Sequence, residues 1–278
     1  MKKILLLIQI VLIASITFAA GDNFMSGARQ ASMGNSGVML SDVWSMYHNQ
    51  AGIARIERFS LGVNYNSEFA LSDLSNKSIA LVAPVQFGSL GLSMSHYGFS
   101  EFSETKIGLA YAKAFNKRFS MGIQMDYLLV SLPSAYGTKG VPVAEIGILS
   151  EPIDNFIVAA HVYNPTRAKI ADFNDERIPT IMKIGVGYRF SETAVVTAET
   201  EKDMEKAIYF KAGMEYMLVD NLYLRAGVST NPLNRYAFGV GYGKTGFRAD
   251  FAFSYHDYLG ITPHLSMSYT FGKASSES

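Results

Sequence analysis

The sequence predicts an all-β fold, a 14-stranded antiparallel transmembrane β-barrel with an N-terminal hatch, or plug. Three observations predict it. From about residue 57 the chain alternates apolar residues with small or polar ones at period two, the signature of strands with one greasy face. The alternating segments number fourteen, each about 9–13 residues long, the length that crosses a bilayer at a tilt. The connections between them are alternately short and long, as in bacterial single-chain barrels with an even strand number.

Composition agrees with this and excludes several alternatives. The 278 residues are 49% hydrophobic and 17% charged, too apolar for a disordered chain. Lys plus Arg equals Asp plus Glu at 24 each, so the chain carries no basic field for nucleic acid. The absence of cysteine excludes disulfides, thiolate metal sites, thiol catalysis and a lipidated N-terminal cysteine. No cofactor and no metal is expected.

Residues 1–19 read as a signal peptide. Lys2 and Lys3 precede an apolar stretch, Ile4 to Ile16, and Thr17-Phe18-Ala19 offers small residues for cleavage after Ala19 or Ala20. The apolar stretch is shorter than the roughly 20 residues of a spanning helix. Residues 20–56 break the strand period and are rich in Gly, Ser, Met and Asn, which makes them the expected hatch. Ser41-Asp42 is positioned to cap a short helix carrying Val43, Trp44, Met46 and Tyr47.

The barrel follows over 57–271. Its strands are expected at 57–66, 77–86, 88–97, 104–115, 118–130, 141–150, 155–163, 178–190, 193–201, 206–218, 221–229, 234–243, 246–255 and 262–271. In the tenth, Ile208, Phe210, Ala212, Met214, Tyr216 and Leu218 share one face; Tyr209, Lys211, Gly213, Glu215 and Met217 share the other. Counting strands places both termini on the periplasmic side of a bacterial outer membrane. Residues 272–278 form a short tail. A soluble β-sandwich is the rival, but it needs polar outer faces. Here the second face is rich in Gly, Ala and Ser, which suits a crowded lumen. Phe59, Tyr65, Phe119, Tyr188, Phe190, Tyr242, Phe247, Tyr255, Tyr269 and Phe271 lie near strand ends on the greasy face, as girdles at the two interfaces require.

The run Gly27-Ala28-Arg29, Met33-Gly34, Gly37-Val38 and Asn49-Gln50-Ala51-Gly52 resembles the hatch of FadL-like outer-membrane proteins, in particular the PorV/PorQ branch. Gln50 stands where that branch has proline. Asn164-Pro165-Thr166, Ile178-Pro179-Thr180 and Gly185-Val186-Gly187-Tyr188 extend the resemblance over most of the chain. It implies one of two roles. FadL-like members pass small hydrophobic molecules such as fatty acids, and PorV-like members are protein-binding accessory subunits of type IX secretion. The outer loops of at most about 14 residues leave little material for an external ligand groove, which favours a protein-binding barrel of an envelope machine. Outer-membrane lipid, protein partners and a hydrophobic ligand are the expected contacts; an enzyme is not expected.

Charged residues concentrate on the lumen face: Lys106, Lys183, Arg189, Lys211, Arg225 and Arg248 against Asp126, Glu145, Glu199, Glu201, Glu215 and Asp250. Buried charges must be paired, so a strand-to-strand and strand-to-hatch network is favoured over a conduction path. Glu199 with Lys211 and Glu215 with Arg225 are the expected cross-strand partners. In the hatch, Arg29, Trp44, Tyr47, Asn49 and Gly52 are the expected contacts to the wall. Pro84 and Pro142 interrupt strands and are candidates for a lateral gate, since proline removes a ladder donor. Asp172, Asn174, Asp175 and Glu176 are read as a solvated loop rather than a calcium site. His96 falls on the greasy face, whereas Ser93 and Ser95 have the opposite parity, which argues against a lipid-facing Ser–His esterase.

Overall fold

The computed structural model describes residues 23–132, 137–170, 177–230 and 234–272. The expected signal peptide, the acidic loop 172–176 and the tail after Gly272 lie outside the described residues. All fourteen expected strands form. They are β1 Ser60–Ser67, β2 Ser75–Val85, β3 Gly88–Gly98, β4 Ser103–Asn116, β5 Phe119–Ser131, β6 Thr138–Ile153 and β7 Phe156–Tyr163, followed by β8 Ile181–Ser191, β9 Ala194–Asp203, β10 Ile208–Val219, β11 Leu222–Ser229, β12 Arg235–Lys244, β13 Phe247–His256 and β14 Gly260–Thr270. Each pairs antiparallel with its neighbours in sequence, and β1 pairs with β14 to close the barrel.

β1 and β8 each start three residues later than expected. Residues 178–180 do not join the β8 ladder, because Asn164 holds them. Its side chain donates to the Ile178 carbonyl at 2.8 Å, and the Thr180 hydroxyl donates to the Asn164 carbonyl at 2.8 Å. Ile178 thereby joins a buried cluster with Leu128, Val130, Val141, Val143, Tyr163 and Ile181, against which Phe102 and Ile170 also pack.

The two faces separate as the alternation requires. Outward residues are apolar and exposed, from Val63 and Leu92 to Phe251 and Leu265. Nine of the ten expected girdle aromatics are exposed, with Phe119 half-buried. They also meet one another: Phe59 lies 5.2 Å from Phe271, and Tyr188 lies 4.8 Å from Phe190, ring centre to ring centre.

Residues 23–56 lie inside the barrel. They form helix α1 (Ala28–Ser32), helix α2 (Ser45–His48) and a 3-10 turn, Gln50–Arg55. Asp42 accepts a hydrogen bond from the Trp44 N–H at 2.9 Å, so it starts this turn as expected, although the helix proper begins at Ser45. Met33, Val38, Met39, Trp44, Met46, Tyr47 and Ile53 are buried against the wall.

What lets the segment sit so close is a belt of lumen-facing glycines on eight strands. A Cβ on Gly62 would lie 2.8 Å from Val43, on Gly91 2.2 Å from Met46, and on Gly122 2.5 Å from the Gln50 backbone. Gly147 would strike Asn49 at 1.9 Å, Gly185 Met39 at 2.4 Å, and Gly239 Ser32 at 2.5 Å. Gly213 and Gly227 face each other across β10 and β11, and a Cβ on either would enter the Met33–Gly34 backbone, at 2.5 Å and 2.1 Å.

Strand counting places both termini at the short-turn end, whereas the first described residues, Asn23 and Phe24, lie at the long-loop end. Phe24 stacks on Tyr97 at the long-loop end of β3, at 3.8 Å. Lys106, near the long-loop end of β4, donates to Asn23 at 2.8 Å. The segment thus enters the lumen at the long-loop end and leaves it at the short-turn end, where β1 begins. Counting strands establishes where β1 starts, but not the path of the chain before it.

Candidate functional site

The lumen face of the wall and the hatch form one polar interface, built in three groups. Nearest the short-turn end, Arg29 on α1 grips Glu215 with two nitrogens, at 2.9 and 2.6 Å, and donates to Asp42 at 2.9 Å. Arg225 approaches Glu215 at 2.6 Å and Asp250 at 2.9 Å; Arg248 reaches both at 3.1 and 3.2 Å. The Tyr223 ring lies 4.6 Å from the Arg248 guanidinium. Three arginines therefore face three carboxylates, and each carboxylate touches more than one arginine or its neighbour.

In the middle, Lys211 donates to Glu199 at 3.1 Å and Glu201 at 2.6 Å, and Glu199 also accepts the Val38 N–H at 3.0 Å. Lys183 lies 3.9 Å from Glu201 and contacts the Met25 sulfur at 3.3 Å. The third group centres on Glu145. It accepts from Lys106 at 3.1 Å and Gln50 at 2.6 Å, and bonds His161 at 2.9 Å. Asp126 accepts from Gln124 at 2.7 Å.

Both expected cross-strand pairs, Glu199–Lys211 and Glu215–Arg225, meet. Their register makes this necessary, because each pair is directly opposite in the ladder. Arg189 stands apart from these groups, joined with Arg55 to Glu151 at the short-turn rim, at 2.9 and 3.1 Å. Signs alternate throughout, whereas a field across an aqueous channel needs them separated.

The hatch residues are also explained by contact. Asn49 donates to the Val38 and Ile148 carbonyls at 2.8 and 3.0 Å, and its oxygen accepts the Ala51 N–H at 3.1 Å. A Cβ on Gly52 would meet Ser45 at 2.6 Å, so this position admits no side chain without displacement. Tyr47 donates to the Ile79 and Met94 carbonyls of β2 and β3, both at 2.8 Å, and burial raises its hydroxyl pKa. Trp44 is buried over Gly62. His48 bonds the Ser26 carbonyl at 3.0 Å, and burial, with Lys183 nearby, pushes its pKa down to about 3.

Several partners carried no signal in the alternation. Gln50, the departure from the proline of the resembling motif, contributes the bond to Glu145 that proline lacks. Ser36 and Thr197 meet hydroxyl to hydroxyl at 2.6 Å. Asp42 binds Arg29 and Gln30 within the hatch, and Tyr223 meets Arg248 two strands away, so no strand alternation marks either.

The wall is continuous at both strand prolines. Pro84 sits opposite Ser89 and Pro142 opposite Tyr127, each within an unbroken register. The ladder has no opening at either position. Ser93 and Ser95 are buried in the lumen, and His96 is on the outer face, bonded to Thr105 at 2.9 Å. Among the described residues, no group of His, Asp and Glu is placed to hold a metal ion.

Two open cavities flank the hatch. One, of about 520 Å³, lies at the short-turn mouth between Arg58, Tyr223 and Arg248. The other, of about 450 Å³, lies at the long-loop mouth between Phe24, Tyr97, Tyr209 and Arg235.

No protein-family model and no curated protein matches the chain. Solved structures do share its fold. The toluene transporter TbuX of Ralstonia pickettii superposes with a TM-score of 0.72 at 12% identity, covering 88% of this chain and 98% of its own. The toluene transporter TodX of P. putida gives 0.65 at 15% identity, covering 91% and 100%. A FadL homologue of Pseudomonas aeruginosa gives 0.61 at 14% identity, covering 91% and 100%. What they share with this chain is the barrel fold.

Proposed function

We propose that the chain is a FadL-like barrel of the bacterial outer membrane that passes small hydrophobic molecules, with displacement of the hatch opening the lumen. The carrying observation is the apolar patch on the lumen face at the long-loop ends of β5 and β6. There Leu128, Val130, Val141 and Val143 point inward, covered by Ile178 and Ile170. The lumen-facing Val82, Leu149 and Ile157 are packed against hatch residues, whereas this patch clusters with no hatch residue and favours an apolar solute. Three structures of the same fold, two toluene transporters and a FadL homologue, support the reading.

A second reading, a protein-binding accessory subunit of an envelope machine such as type IX secretion, with PorV/PorQ-type kinship, draws on the tight seating of the hatch. Such a subunit needs a sealed lumen and no flux.

One experiment separates the two. Ser36 and Thr197 touch across the hatch–wall boundary at 2.6 Å, and the chain has no cysteine, so S36C/T197C places a single disulfide there. Uptake of toluene by cells expressing the oxidised variant is expected to fall to the level of cells lacking the protein and to return on reduction. Toluene uptake that is insensitive to the lock refutes the conduit.

A further inference from the structure

The outer face of the wall carries a recess that neither the hatch nor the lumen explains. It lies on β8 to β11 as an open depression of about 480 Å³. Register gives its shape. One outward row reads Ile184, Thr200, Phe210; the next reads Val186, Ala198, Ala212, Val228. Ile184 and Phe210 stand out at 60% and 59% exposure, while Thr200, Ala198 and Ala212 between them are short. The result is a trough along β9.

Two positions beyond Thr200, on the same outward face, is Lys202, opposite Met182 and Ile208. Its ammonium donates to the Lys206 carbonyl, and among the described residues no carboxylate pairs with it. An ammonium has three donors, so two remain for a ligand. From Lys202 to Ala198 the strand runs about 13 Å at 3.3 Å per residue. A cation at the interface above an apolar trough fits a phosphate and the acyl chain beneath it. Lys77 supplies the contrast. It also faces outward near the long-loop end of its strand, but the row below it is filled by Val63, Ile79 and Met94.

We propose that this face binds a phosphorylated, acylated glycolipid of the lipid A type, with a phosphate on Lys202 and one acyl chain along Thr200, Ala198 and Ala212. The inference rests on the reading that the long-loop end faces outward, where the outer leaflet lies.

The test is native mass spectrometry of the full chain in detergent, titrated with hexa-acylated lipid A or with dipalmitoyl phosphatidylglycerol. Wild type and K77E are expected to retain one lipid A, in preference to phosphatidylglycerol. K202Q is expected to weaken retention about fivefold, the worth of one interfacial lysine, and A198F to weaken it by filling the trough. Unchanged thermal unfolding of each variant serves as the folding control. Retention by K202Q and A198F equal to wild type overturns the proposal, as does equal retention of phosphatidylglycerol.

Orientation is read separately, by labelling S100C in the exposed β3–β4 loop with a membrane-impermeant maleimide on intact cells. A labelled cysteine with no lipid A retention refutes the site alone. An unlabelled cysteine refutes the orientation, and the site with it.

Discussion

Substituting Gly227 by alanine tests whether the hatch is seated by the absence of side chains in the wall. The new Cβ would lie 2.1 Å from the Met33 carbonyl carbon and 2.2 Å from the Gly34 nitrogen. Both are backbone atoms, so no rotamer change relieves the clash. Reaching an ordinary contact distance of about 3.4 Å requires the hatch to move by more than an ångström. A shift of that size breaks the nearby hydrogen bonds from Val38 to Glu199 at 3.0 Å and from Ser36 to Thr197 at 2.6 Å. Overpacking costs about 1–3 kcal/mol and each of the two lost bonds about 1 kcal/mol, so a loss of about 3–5 kcal/mol is expected. Gly243 is the matched control, since its nearest neighbours to a new Cβ are at 3.7–3.8 Å and it belongs to the same lumen face. The assay is thermal unfolding in detergent, with limited proteolysis reporting release of residues 23–56. G227A is expected to lower the midpoint by roughly 6–20 °C, at about 2–4 °C per kcal/mol, and to expose the hatch to protease; G243A should match wild type. If G227A behaves like G243A, the glycine belt does not seat the hatch and the reasoning fails.

Two further outcomes follow from the polar interface. Arg225→Ala strips buried Glu215 and Asp250 of a shared partner and is expected to cost about 3 kcal/mol, read as a lower unfolding midpoint; a midpoint within 1 °C of wild type, an order-of-magnitude bound from the same scaling, would show that Arg29 and Arg248 suffice. His48 is neutral in the fold and protonates near 6.5 when unfolded, whereas its folded pKa is about 3. The unfolded chain therefore binds the extra proton as pH falls from 6.5 to 3, and stability drops by about 1.4 kcal/mol per unit over that window. The H48Q variant should lose this component of the pH dependence, and an identical pH profile in both proteins would contradict it.

Strand positions were legible because period two is local: each of the fourteen segments carries its own alternation, and register follows once neighbours pair. The lumen pairs Glu199–Lys211 and Glu215–Arg225 were legible for the same reason, since each joins adjacent strands. The hatch contacts were not. Ser36 meets Thr197, and Gln50 meets Glu145, across long sequence separations that no periodicity encodes. The glycine belt was visible only as composition; its meaning depends on which backbone lies opposite each glycine. The start of β8 was misplaced because Asn164, a loop residue, competes for the carbonyl of Ile178.

The path of residues 23–56 constrains how the molecule is assembled. The segment crosses the whole lumen from one mouth to the other and continues directly into β1. The barrel is sealed where β1 meets β14, and the Ser60–Thr270 contact on that seam spans 210 residues. A ring that closed first would have to draw a chain end through its entire length past a snug belt of wall. The simpler order is the reverse: β2 to β14 form a curved open sheet, the leading segment lies down in its concave side, and the last pair of strands zips shut over it. The seam is then a latch that holds the core in place, and a chain that closes early is left empty.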